Sequence, residues 1–306
     1  MSAAPHFVPG LAWILVSILC WVPLFPLAKR VLPIVDAFAL GSVRYAIGGA
    51  LFVTILAVLE GRKSLRYEGR LLRAVVFGVI GITGFNCLVW YGLTYTRPEH
   101  AAIIMGIQTP LTAIAVWLSR GVRPAGFTLG CITLAFLGVL LVVTKGEPTQ
   151  ALQGGALFGD LLVFLGALSW VVYTLSSVTF TGWSPIRFTV LTCIPGAFGL
   201  LAVNAAAVAA GIAVVPSLQA LGSIAWQIAY FAVGTVVLGV LGFNFSVRYL
   251  GPLNTMLMLN LVPVGVFAIE ASLGRSFAGV EIAGAALVIG ALAANNLYLR
   301  RVSARG

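Results

Sequence analysis

Ten stretches of the chain are apolar for roughly twenty residues at a time, at about 10–28, 34–59, 74–95, 100–119, 125–144, 155–180, 186–210, 220–247, 252–273 and 278–299. Polar residues collect in the short breaks between them. A helix that crosses a bilayer needs about 20 apolar residues, whereas a barrel strand needs only about 10. The pattern predicts an all-α integral membrane protein of ten transmembrane helices, here called segments one to ten. The breaks are too short to hold a soluble domain.

Composition points the same way. The chain is 60% hydrophobic and 8% charged, with mean hydropathy +1.08, against about 25% charged residues in a soluble domain. The start, "MSAAPHFVPG", carries no Lys or Arg, so segment one reads as a retained helix and not a cleaved signal. The four cysteines, Cys20, Cys87, Cys131 and Cys193, all lie in apolar runs without C-x-x-C spacing. They read as small packing residues, with neither a disulfide nor a metal site expected.

The segments repeat. "GFNCLVWYGL" (84–93) returns as "GFNFSVRYLG" (242–251), so that Gly84, Phe85, Asn86 and Tyr91 match Gly242, Phe243, Asn244 and Tyr249 at an offset of 158. Segment one reads "GLAWILVSILCW" and segment six "GDLLVFLGALSW", at an offset of 149. Pro110 and Pro263 fall near the middle of segments four and nine. The chain therefore divides into two five-helix repeats, 1–145 and 150–306. Five is odd, so the second repeat enters the membrane from the opposite side. Such inverted repeats are the usual machinery of alternating access.

A net charge of +10 raises the question of nucleic acid, but the placement of the charge answers it. With a cytoplasmic N-terminus, inside segments carry twelve Lys and Arg, including the cluster Arg62, Lys63, Arg66, Arg70 and Arg73; outside segments carry five. This is the positive-inside pattern. It predicts cytoplasmic N- and C-termini and a lipid bilayer as partner, with no nucleic acid.

Ten segments in two inverted halves, a small residue before Trp in segments one and six, and the prolines of segments four and nine resemble the EamA-type drug/metabolite transporter superfamily. The sequence looks most like its bacterial exporters of aromatic and other neutral amino acids. The resemblance covers essentially the whole chain. It implies a secondary transporter in the bacterial inner membrane that exports amino acids and related metabolites, without a cofactor. It also implies a cavity formed mainly by segments one, three, four, six, eight and nine, with five and ten at the periphery. A facilitator of other small amphipathic metabolites or drugs, or a lipid flippase, is the alternative.

Polar residues inside a span are either interhelical ties or a pathway. Asn86 and Trp90 are four apart and share a helix face, as do Asn244 and Arg248. The amides either line a cavity, serving both ends of a zwitterion, or tie helices together. Trp21, Trp90, Trp170 and Tyr173 lie deep enough to wall a pocket for an amphipathic molecule, or to pack. Pro110 and Pro263 free the carbonyls of Gly106 and Leu259, producing either gating bends or static kinks. Gln108 and Asn260 sit beside them, able to satisfy those carbonyls or to face substrate. Arg44 falls near the middle of segment two, where it either attracts a substrate carboxylate or ties backbone carbonyls. The patterns "GFTLG" (126–130) and "GALFG" (155–159) predict close helix approach.

Asp36, Asp160, Glu270 and Glu281 fall near segment ends, and neither His6 nor His100 is deep. The sequence thus presents no clear buried titratable group, leaving facilitated diffusion and proton exchange both open. It also lacks the paired carboxylates, His cluster or activated nucleophile of a membrane enzyme, so no catalytic residue is assigned. Nothing resembles a channel filter.

Overall fold

The computed structural model describes residues 7–121, 123–147 and 155–303. His6, Arg305, the two chain ends and the repeat boundary at residue 150 lie outside the described residues. Those described form helices connected by short turns. Eight helical stretches are long and apolar enough to cross a membrane: 7–31, 37–59, 71–95, 98–118, 156–177, 185–209, 225–250 and 252–272. Two shorter apolar helices, Gly126–Val142 and Gly279–Asn295, occupy segments five and ten.

Helix starts follow their caps. Asp36 Oδ1 accepts from the backbone N–H of Phe38 and Ala39, both at 2.9 Å, and opens segment two. Ser184 Oγ accepts from the N–H of Arg187 at 3.0 Å and opens segment seven. Each cap satisfies donors that the first turn leaves unpaired. Segment four breaks at Ile107, between Pro98–Gly106 and Gln108–Arg120, and segment nine at Asn260, between Pro252–Leu259 and Leu261–Ser272. Both breaks precede a proline by three residues. The proline ring cannot donate to the carbonyl four residues back, so the helix loosens there.

Segments three and eight share a feature the periodicity does not foretell. Val79–Gly84 and Tyr230–Val240 are wound as π-helix, ahead of the Gly-Phe-Asn sequences. Their glycines face crossing helices closely. A Cβ on Gly81 would sit 2.4 Å from Tyr173 of segment six, and one on Gly239 2.4 Å from the Trp21 indole of segment one. Segment one also supplies donors to the wide helix. Ser17 Oγ donates to the Gly239 carbonyl at 2.8 Å and Trp21 Nε1 to that of Thr235 at 3.0 Å. In a lipid-embedded bundle such side-chain donors satisfy backbone groups that irregular winding exposes.

Close approach uses other glycines than expected. Nothing lies within 4 Å of a Cβ placed on Gly126 or Gly130, so "GFTLG" faces away from the bundle's tight contacts. Segments five and ten instead meet at Gly138 and Gly284, where each new Cβ would lie 2.7 Å from the other's carbonyl oxygen. In "GALFG", Gly159 does pack closely, against the Gly92 carbonyl of segment three. Spacing finds small residues, but only the crossing points decide which are used.

Candidate functional site

A cavity of about 60 Å³ lies inside the bundle, room for a few waters at roughly 10–15 Å³ each. Its wall is mostly aromatic and aliphatic: Trp21, Leu24 and Phe25 of segment one, Phe85 of three, Trp170 of six and Val262 and Pro263 of nine. Polar points come from Arg44, Gln108 and Thr235. Segment two, through Arg44 and Tyr45, joins the six segments expected to form the wall. Segments five and ten do not contribute to this lining.

Trp21 and Trp170 meet edge to face with centroids 5.8 Å apart, and both rings contact Phe243. Phe85 also lies on Trp170, at 5.0 Å. The two repeated phenylalanines therefore converge on one tryptophan. Aromatic pairs of this kind fix the wall's shape with few rotatable bonds.

Arg44 is 3% exposed. Its Nη2 donates to Asn86 Oδ1 at 2.7 Å and its Nη1 to Thr235 Oγ1 at 3.5 Å. The guanidinium lies 4.6 Å from the Trp90 ring centroid and 5.2 Å from that of Tyr45. Trp90 Nε1 donates to the same Asn86 oxygen at 2.8 Å, and Asn86 Nδ2 donates to the Ile82 carbonyl at 2.6 Å. No ion pair among the described residues includes Arg44, and its Nε has no hydrogen-bond partner. The contacts correct the idea of a tie to backbone carbonyls: the guanidinium is held by side chains and ring faces. A guanidinium keeps its charge in proteins, so the cavity wall carries a cation without a carboxylate.

The other candidates divide. Asn86 and Trp90 lie behind Arg44, as its support. Asn244 is elsewhere: its Nδ2 donates to Thr189 Oγ1 at 2.7 Å and Tyr173 Oη at 3.0 Å. It lines a second cavity of about 200 Å³ with Trp183, Phe188 and Arg248. Tyr173 lies between Trp170 and Phe188, its ring tilted to both, bridging the two regions. Gln108 Nε2 donates to Met105 Sδ at 3.3 Å. Asn260 Oδ1 accepts from Thr109 Oγ1 at 3.5 Å, so it ties segment nine to segment four. Pro263 reaches the cavity wall, while Pro110 is not among its lining residues.

A second polar centre lies where segments three, four, six and ten end or begin. Glu99, His100, Asp160 and Glu281 are all buried, between 1% and 4% exposed. This overturns the expectation that the chain presents no clear buried titratable group: His100, Asp160 and Glu281 are buried although near segment ends. Each is near a helix end in sequence, but the ends pack on one another. The overlooked signal was an acid near the start of each of segments four, six and ten, all at one end. Glu99, His100 and Glu281 offer donor atoms within 4.8 Å of one another. Arg275 Nε lies 2.8 Å from Glu99 and Arg97 Nη1 3.0 Å from Glu281, so an added metal ion would meet positive charge already in place.

Comparison with known proteins now decides the family. The EamA-like transporter family model matches residues 8–144 and again 157–297. The chain belongs to the EamA-like transporter family. It is a multi-pass membrane protein of transporter type, with a small-molecule substrate implied by that family. Two relatives from Bacillus subtilis (strain 168) are similar over most of their length. The uncharacterized transporter YrdR is 31% identical over 94% of this chain and 91% of its own. The uncharacterized transporter YyaM is 34% identical over 87% and 86%. One solved crystal structure, 19% identical, superposes at a TM-score of 0.70 over 98% of this chain and 100% of that one, a likeness of fold.

Proposed function

We propose that this EamA-family protein exports amino acids, aromatic and other neutral, and related metabolites across the bacterial inner membrane. Ten spans in two inverted repeats, 1–145 and 150–306, alternate the exposure of a central cavity, with both termini cytoplasmic. The observation that carries the cargo class is Arg44. It is a buried cation without a carboxylate partner, at the wall of an aromatic-lined cavity. A substrate carboxylate supplies the missing anion, and Trp21 and Trp170 take an apolar side chain. Gln108 serves the ammonium through its amide oxygen. Trp90 and Asn86 hold the guanidinium, Tyr173 and Asn244 receive substrate on the second side, and Asn260 ties the break in segment nine to segment four. Pro110 and Pro263 act as paired gating bends.

The cavity as it stands, about 60 Å³, is too small for such a cargo and widens to take it. Purified protein in liposomes tests the reading. Radiolabelled phenylalanine should equilibrate across the membrane, and its amide, which lacks the carboxylate, should compete at least tenfold less well. Equal competition by the amide would remove Arg44 as the anion site.

A further inference from the structure

We propose that His100 is a proton-binding latch between the two halves of the molecule, closing the end of the bundle where segments four, six and ten begin. The proposal rests on the transporter reading for its purpose, but not for its chemistry.

His100 lies two residues after Pro98, in the first turn of segment four. Its Nδ1 is 3.5 Å from Asp160 Oδ2 of segment six and its Nε2 is 3.7 Å from Glu281 Oε1 of segment ten. Neither ring nitrogen has a hydrogen-bond partner. A neutral imidazole carries one N–H, so either tautomer turns a lone pair toward one of the two carboxylates. Only the imidazolium has a donor for each.

Among the surrounding charges, Asp160 makes the same demand, and the other acids are already paired. On segment four itself, Glu99 faces Arg275 at 2.8 Å and Arg97 at 3.9 Å. Glu281 faces Arg97 at 3.0 Å and Lys145, at the end of segment five, at 4.0 Å. From segment one, Lys29 donates to the carbonyls of Leu93, Thr94 and Thr96 at the end of segment three. Glu270 of segment nine interacts with Glu99, Arg275 and Arg30. Asp160 differs from these acids. One oxygen accepts from Thr96 Oγ1, the other has no hydrogen-bond partner, and the group facing it is the His100 ring. A buried carboxylate without a counter-charge is costly. A proton on His100 supplies the charge.

The latch spans the repeat boundary, since His100 belongs to the first half and Asp160 and Glu281 to the second. Protonated, His100 draws both carboxylates onto segment four and closes this end. Deprotonated, it presents a lone pair to one of them, and the halves part. A proton is thus taken up when this end closes and released when it opens, which ties transport to a proton gradient.

The test uses the full chain in nanodiscs with His6→Gln, leaving one histidine for ¹³C labelling. The His100 ring resonance should move with pH, as that of a ring gaining and losing a proton does. The curve should be displaced in D160N and in E281Q. Amide exchange in the first turn of segment four should speed up several-fold as the resonance reaches its neutral position. A resonance that is flat with pH, or curves in both variants that coincide with that of the protein carrying Asp160 and Glu281, overturns the latch. So does a shift produced by Zn²⁺ at fixed pH that protons do not reproduce, which would assign the cluster to a metal. Absence of phenylalanine flux with the titration intact removes the cargo and keeps the latch. Flux with a flat titration does the reverse.

Discussion

Asn86 and Asn244 each follow the same Gly-Phe, each behind a π-wound stretch, yet they answer to different neighbours. Asn86 gives its oxygen to Arg44 and Trp90. Asn244 gives its amide to Thr189 and Tyr173. The caps locate the cause. Arg44 stands eight residues after the Asp36 cap, and eight residues after the Ser184 cap stands Thr192. One half has a fixed cation where the other has a hydroxyl. The glycine contacts do not diverge in this way: Gly81 packs on Tyr173 and Gly239 on Trp21, equally closely. The repeated motif preserves how these backbones cross and lets the side-chain chemistry differ.

The sharpest way to break this comparison is to remove the cation. Arg44→Gln should cut phenylalanine flux by about 10- to 100-fold, because a charged hydrogen bond contributes roughly 1.5–3 kcal/mol. Arg44→Lys should rescue little of it. A lysine lacks the planar fork that meets Asn86 while lying over Trp90. Fluxes near wild type in R44Q, measured in liposomes at matched protein density, would show that the charge serves packing alone.

The asparagines come next. Asn86→Ala frees the guanidinium from its strongest partner and should lower flux about tenfold, by analogy with a charged hydrogen bond worth at least 1.4 kcal/mol. Asn244→Ala removes two neutral hydrogen bonds and should lower stability by about 1 kcal/mol with a two- to threefold loss of flux. Equal losses of flux from the two would mean that the halves contribute alike, and the asymmetry would be abandoned.

The prolines ask the same question of motion. Pro110→Ala and Pro263→Ala each restore a backbone donor next to a helix break. If both bends gate, flux falls several-fold in each, and the two variants favour opposite open states. The measurement is labelling by an aqueous thiol reagent of cysteines placed at either end of the bundle. Unchanged labelling in both would leave the breaks at Ile107 and Asn260 as static packing.

Much of this architecture is legible in the sequence because lipid imposes a coarse rule: an apolar run must be long enough, and its backbone must be satisfied within itself. The runs, the repeat, the paired prolines and the face shared by Asn86 and Trp90 all follow from spacing along one helix. What escapes is set by crossings between helices. Gly126 and Gly130 have the right spacing but touch nothing, while Gly138 and Gly284 meet. His100 reads as a terminal residue because it stands in the first turn of segment four, yet burial comes from the ends of segments six and ten packed beside it. The π-winding of segments three and eight leaves no periodic mark because the residues around it are apolar on every side. Arg44 was visible as a charge in a span, but its partners lie in segments three and eight, 42 and 191 residues away.

The smallest effect is expected where the halves are most alike. A methyl group on Gly81 would lie 2.4–2.5 Å from three atoms of the Tyr173 side chain, and one on Gly239 2.4 Å from Trp21 Nε1. Neither neighbour can retreat freely, since Tyr173 hydroxyl accepts from Asn244 and the Trp21 indole donates to the Thr235 carbonyl. Overpacking of this kind costs about 1–3 kcal/mol, so Gly81→Ala and Gly239→Ala should each lower the melting temperature by a few degrees, and by similar amounts. Gly126→Ala and Gly130→Ala, with open space around them, should leave it unchanged or raise it slightly through added helix propensity, and serve as controls for that effect. Thermal unfolding of the four variants in one detergent reads all of this together. A large difference between Gly81→Ala and Gly239→Ala would mean that the backbone crossings have diverged along with the chemistry, and that the shared Gly-Phe-Asn motif marks descent without a shared mechanical role.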